Sequence, residues 1–143
     1  MTSPTPTYAD FTKSLIEDFR AHKGKTTTGP FVNSDVLLVH TIGARTGVEH
    51  VTPVVYSRDG DRMFIVASKG GAPTHPAWFH NLVANPIVTV EAGGETFKAR
   101  ATVVGPDDHD RLYALHASRY PGFLDYQKKT DRIIPVVFLD RVS

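Results

Sequence analysis

The sequence predicts an α+β fold that is mainly β: a small barrel of about six mostly antiparallel strands with flanking helices. Two observations carry this. β-rich runs fill residues 36–104 and return at 133–139, and glycine-bearing turns of hairpin length join most of them. Two or three helical patterns flank these runs.

Residues 1–7, rich in Ser, Thr and Pro, read as a loosely ordered tail. From Tyr8, apolar side chains recur at three- and four-residue steps (Tyr8, Phe11, Leu15, Ile16, Phe19), while Asp10, Glu17, Asp18 and Arg20 take the other side. That is the pattern of an amphipathic helix. Its stripe needs a partner, either the body of the domain or a lipid surface, and the mixed charges of the polar face favour the domain. Lys23 to Pro30 is a linker or entrance loop. Residues 1–30 thus form tail, helix and linker, and residues 31–143 the barrel of a single domain.

Val36 to Ile42 is the first strand, and the turn Gly43 to Gly47 leads into Val48 to Ser57. Arg58 to Asp61 turns the chain into Arg62 to Ala67. Ala77 to Ala84 is helical and stops at Asn85-Pro86, because the residue before proline is pushed out of the helical region. Ile87 to Ala92 and Glu95 to Val104 form a hairpin across Gly93-Gly94. Pro106, followed by Asp107 and Asp108, starts a helix with Leu112, Leu115, His116 and Arg119 on one face. Ile133 to Leu139 is the last strand, and Pro135 predicts that part of it lies at an edge or bulge.

Composition narrows function. Sixteen Lys and Arg against 15 Asp and Glu leave a net charge of +1, which gives no case for bulk binding to nucleic acid. Zero cysteines remove disulfides, thiolate metal sites and cysteine nucleophiles. The N-terminus lacks the regions of a signal peptide, and the longest apolar runs fall far short of the roughly 20 residues a membrane span needs. A soluble, cytoplasmic protein is expected. No serine elbow, phosphate loop, dinucleotide fingerprint or zinc-protease motif occurs, and the seven histidines hold no i, i+4 pair, so no metal is expected. His109 and His116 read as helix-surface and helix-packing residues.

Ser68 to Asn81 concentrates adjacent glycines, Lys69, His75, His80 and the single Trp78 between a strand and a helix start. Glycines let backbone N–H groups approach an anion, and the helix beginning near Pro76 turns its positive end to the same place. The Gly43–Gly47 turn, with Arg45 and Thr46, is either an oxyanion site or a plain hairpin loop. Trp78 and Phe79 either pack the core or stack on a flat ligand. Ser68 and Lys69 either end a strand or line a site.

At these residues the chain resembles the deazaflavin-dependent nitroreductase and quinone reductase family. The resemblance runs through Leu37 to Gly47, Val51 to Tyr56, Ala67 to Gly71, His75 to Leu82 with Asn85-Pro86, Tyr120 to Gln127 and Thr130 to Pro135. It implies a flavin-reductase-like split β-barrel and bound coenzyme F-420, an 8-hydroxy-5-deazaflavin with an anionic phosphate and tail. On it, Ala44, Arg45, Thr46 and Gly47 would hold the tail or phosphate, and Val51, Thr52, Pro53, Val54, Val55 and Tyr56 would run beside the cofactor. Ala67, Ser68, Lys69 and Gly70 would take the phosphate and ribityl region, with Ala77, Trp78, Phe79, His80 and Asn81 beneath. Val55, Tyr120, Phe123 and Tyr126 would wall the acceptor side, Phe123 also touching cofactor.

The implied reaction is hydride transfer from the reduced deazaflavin to a quinone or nitro acceptor, with Ser68 and Tyr126 as the catalytic residues, donors to the acceptor oxygen. Family members that reduce bulky nitro compounds tend to carry tyrosine where this chain has Val55 and Phe123, so nitro reduction is the weaker expectation. Two alternatives stay open: a non-catalytic carrier of a deazaflavin or lipid-like ligand, and an FMN-dependent reductase. The N-terminal helix allows peripheral membrane contact at the inner face of the cell membrane, and the chain is a monomer or homodimer.

Overall fold

The computed structural model describes residues 8–27 and 34–142. The expected tail at residues 1–7, the Gly29-Pro30 part of the linker and the boundary at residue 30 lie outside the described residues. Six strands, β1 (Val36–Ile42), β2 (Glu49–Asp59), β3 (Arg62–Val66), β4 (Ile87–Ala92), β5 (Glu95–Val103) and β6 (Val136–Arg141), close into a barrel in the order β1-β2-β3-β6-β5-β4. Every pairing is antiparallel. Among the described residues four α-helices surround it: α1 (Tyr8–Ala21), α2 (Ala77–Ala84), α3 (Pro106–Arg119) and α4 (Gly122–Lys128). This is the split-barrel architecture the resemblance implied.

Period-two alternation sorts the strands. Leu37, Val39, Ile65, Val88, Val90, Val137 and Leu139 fill the barrel interior, and Leu82 of α2 closes one end of it. The opposite faces carry two further apolar layers. Phe64, Val66, Val136 and Phe138 meet Leu112, Tyr113, Ala117 and Phe123 of α3 and α4, while Val36 and Leu38 meet Phe19 of α1. Each fully buried Leu, Val or Phe among these stabilises the fold by about 1.5–3 kcal/mol relative to exposure.

The amphipathic stripe of α1 is therefore spent on the barrel: Leu15 and Phe19 are 5% and 2% exposed. The side chains of Tyr8 and Phe11 lie outside the described residues. Arg20 adds a fork to Glu91 on β4, Nε to Oε1 at 3.1 Å and Nη2 to Oε2 at 2.7 Å, and Glu91 also bonds His40 Nε2 at 2.6 Å. The helix ends at Gly24, φ +94°, whose N–H returns to the Phe19 carbonyl at 2.8 Å. A Cβ there would lie 2.8 Å from the Gly93 nitrogen, so the helix end and the β4–β5 turn touch backbone to backbone. Among the described residues no helix is long and apolar enough to cross a membrane.

Three expectations need correction. Pro135 marks no edge or bulge within a strand: β6 begins one residue later and runs between β3 and β5, and the Pro135 carbonyl accepts Ala67 N–H at 2.9 Å. A proline just ahead of a strand has no N–H to waste there. Arg58 and Asp59 are strand rather than turn, paired with Met63 and Arg62. His109 is no surface residue, since its Nε2 donates to the Ile134 carbonyl at 2.7 Å. A further element, α4, had no predicted counterpart.

Candidate active site

One barrel end opens as a cleft of about 1170 Å³ between the β1–β2 turn, the loop after β3 and the start of α2. Its floor is strand: Thr41 of β1 stands opposite His50 of β2, followed on the same inward face by Thr52 and Val54. Its rim carries the basic side chains of Arg45 and Lys69, with His50 and His80 beside them. No carboxylate lines the cleft among the described residues, and neither Arg45 nor Lys69 makes an ion pair there. An anion entering meets attraction from both sides.

Asn81 explains why the turn and α2 hold this arrangement. Its Oδ1 accepts the Ala44 N–H at 3.0 Å, and its Nδ2 donates to Thr41 Oγ1 at 3.4 Å. The residue is 9% exposed, so α2 is stapled to the β1–β2 turn from the inside, while the turn's exposed Arg45 lines the cleft. Pro76 is the N-cap of α2 and offers no side-chain cap. Pro76 and Ala77 line the cleft, which places this uncapped helix start at its wall, with the Phe79 N–H turned back to the Pro76 carbonyl at 3.0 Å. Trp78 lies half-buried, one side on the barrel core and one on the cleft.

The loop after β3 makes a single 3-10 turn, Lys69–Gly71, with Lys69 in the left-handed region at φ +48°. Lys69 Nζ reaches Thr74 Oγ1 at 3.3 Å. His75, packed on the Phe79 ring at 4.8 Å, accepts a 3.0 Å bond from Arg132 at Nδ1. An arginine only donates, so the His75 proton is on Nε2. Burial, then Arg132, then His80 push its pKa below the ordinary value, and His75 is neutral at pH 7.

Of the residues expected from sequence, the cleft gathers Ala44, Arg45 and Thr46, then Thr52, Pro53 and Val54, then Lys69, and from α2 Ala77, Trp78, His80 and Asn81. The others lie elsewhere. Gly47 shares the turn at φ +70°. Val51 and Val55 face outward beside Phe19 and Leu38, Tyr56 is in the barrel core, and Phe79 packs against that core. Ala67 and Ser68 are buried where β3 ends, and Gly70 is in the 3-10 turn. Tyr120, Phe123 and Tyr126 form an aromatic row on the α3–α4 side, ring centroids 6.4 and 5.0 Å apart in sequence order. That row meets the loop through Gly71, whose Cβ would lie 2.7 Å from the Tyr126 carbonyl oxygen.

Thr41 and His50 line the cleft without having been expected there, and Gly43 and Pro76 join them from the turn and the helix start already marked in the sequence. The alternation His50, Thr52, Val54 was the available signal. Arg132 falls within the Thr130 to Pro135 motif of the resemblance, but its place behind the loop was not legible, because its partners are 57–65 positions away.

The F420H(2)-dependent quinone reductase family model matches residues 12–141. A relative named F420H(2)-dependent quinone reductase from Mycobacterium tuberculosis strain H37Rv is 47% identical over 111 residues, 73% of this chain and 72% of its own. A solved F420-H2 dependent reductase, FDR-A, superposes with a TM-score of 0.67 at 34% identity, covering 74% of this chain and 94% of that one. Another solved structure, described as a domain-swapped dimer, gives a TM-score of 0.69 at 29% identity, covering 90% of this chain and 93% of that one. Barrel, cleft and sequence agree: the chain belongs to the F420H(2)-dependent quinone reductase family.

Proposed function

We propose that this protein reduces a quinone with reduced coenzyme F-420. The observation that carries the reading is the cleft itself, where among the described residues two cations have no carboxylate partner, no carboxylate lines the wall and an indole does. A flat ring with an anionic phosphate and tail fits that donor set. When bound, the deazaflavin supplies a two-electron hydride, so the chain needs no nucleophile of its own. Arg45 and Thr46 hold the tail, and Lys69 with the loop amides holds the phosphate. Trp78 orients the ring, and the β2 residues Thr52 to Val54 exclude water from its edge.

Ser68 and Tyr126 are assigned to the acceptor oxygen, as donors that meet the negative charge developing there. Ser68→Ala is expected to lower turnover about tenfold or more with cofactor affinity within about twofold of wild type. Unchanged single-turnover and steady-state rates would remove Ser68 from the role. Nitro compounds are a secondary acceptor class in this reading, since neither position 55 nor position 123 offers a phenol. A lipid-soluble quinone suits a cytoplasmic protein that meets the inner face of the membrane only transiently. Contact through α1 has to use residues other than Leu15 and Phe19, which the barrel already buries.

Separate titrations with the deazaflavin and with FMN, followed by menadione, test the reading. Quenching by the deazaflavin with turnover supports it; binding without turnover leaves a carrier, and preference for FMN leaves a flavin reductase. Family membership favours neither alternative.

A further inference from the structure

Arg20, Arg62, Arg111, Arg119 and Arg141 each hold a carboxylate. Arg132 holds carbonyls instead. From the connection between α4 and β6 its Nε donates to the Ala72 carbonyl at 2.9 Å, and Nη1 donates to the Ala67 carbonyl at 3.2 Å and to His75 Nδ1. Nη2 donates to the Ser68 carbonyl at 2.6 Å. Four bonds from one planar fork thus gather the end of β3, the far side of the 3-10 turn and the approach to α2. An ammonium group lacks the fixed fork to reach them together.

The consequence follows from peptide geometry. In a trans peptide unit C=O and N–H point to opposite sides. Drawing the Ala67 and Ser68 carbonyls back to Arg132 therefore sends the N–H groups of Ser68 and Lys69 the other way. Lys69 sits between these anchors in a left-handed conformation that a non-glycine residue seldom adopts. Its side chain lines the cleft, whereas Arg132 does not.

We infer that Arg132 is the positioning residue of the cleft's anion-binding loop. By collecting the carbonyls of Ala67, Ser68 and Ala72 behind the loop, it presents the N–H groups of Ser68 and Lys69, opposite the first two, and the Lys69 side chain to the anionic part of the deazaflavin. The inference rests on the reading of the cleft given above. Arg132 acts without touching the ligand, and its charge adds to the positive potential of the loop from behind.

The test compares wild type, Arg132→Lys and Arg132→Ala, the last with and without millimolar guanidinium. Three quantities are read: the backbone amide NMR shifts of Ser68, Lys69 and Gly71 in the unloaded protein, the Kd for oxidised coenzyme F-420 by fluorescence quenching, and the menadione KM at saturating cofactor. Arg132→Lys is expected to melt cooperatively, to shift those amides and to weaken cofactor binding by about tenfold or more, with menadione KM unchanged. Guanidinium is expected to restore affinity to Arg132→Ala. Arg132→Lys binding within about twofold of wild type overturns the inference, as does a folded Arg132→Ala protein that guanidinium leaves weak. If Arg132→Ala does not fold, the Lys variant decides. Failure of wild type to bind the deazaflavin would sink the functional reading alone, because the amide shifts of the unloaded variants still report whether Arg132 orders the loop.

Discussion

His116 of α3 is fully buried, with Nδ1 2.7 Å from Ser57 Oγ and no polar partner for Nε2 among the described residues. The rings of Phe64, Tyr120 and Phe123 surround it at 5.9, 5.0 and 4.3 Å. Burial, then the charge of Arg119, lower its pKa from 6.5 to about 4. The unfolded chain takes up a proton near 6.5 that the folded chain refuses until about 4, so this contribution to stability is complete above that window and is lost as pH falls through it. The loss is of the order of 3 kcal/mol. The urea midpoint is therefore expected to drop between pH 7 and pH 4.5, and His116→Leu to flatten the drop; identical pH slopes in the two proteins would contradict it. Helical spacing put His116 on a packing face from sequence alone. It could not supply Ser57, 59 positions away, nor the Ile134 carbonyl that takes His109 off the surface.

At the scale of elements, hairpins were legible because their punctuation is local. Gly93-Gly94, φ +58° and +82°, suits a two-residue turn that side-chain-bearing residues resist, and β4 and β5 follow on either side. Helix α4 was not legible: seven residues offer too short a window for periodicity, and its packing comes from α3 and the 3-10 turn. The contact between α4 and that turn rests on Gly71, φ +82°, where an added Cβ would sit 2.7 Å from Tyr126 O and 3.0 Å from Lys129 Cβ. Gly71→Ala is expected to cost about 1–3 kcal/mol from backbone strain, and more from the clash. Gly47→Ala, φ +70° with open space around it, isolates the strain. Thermal melts in which the two variants lose equal stability would show that the α4 contact carries no weight.

For the whole molecule, the decisive packing is α1 on the barrel. Burial of Leu15 and Phe19, the Arg20–Glu91 fork and the Gly24–Gly93 contact all hold the helix down, and lipid would have to compete with every one of them. Full-length protein is accordingly expected to remain in the supernatant when sedimented with mixed phosphatidylcholine and phosphatidylglycerol vesicles. Pelleting that disappears on removal of residues 1–24 would establish lipid contact through this segment.

By itself the sequence determined the strand set, the hairpin turns, the cationic turn and loop, and the family, since each is written in neighbouring residues or in motifs at set separations. Only the tertiary structure decided which of those residues share a cleft. Alternation along β2 faces Thr52 and Val54 inward and Val51 and Val55 outward, and barrel closure brings Asn81 to Ala44 across 37 positions. Closure likewise sets Arg132 behind the loop that carries Lys69. Such contacts depend on how a sheet curves and what covers it, which is a property of all the strands together and of no single segment.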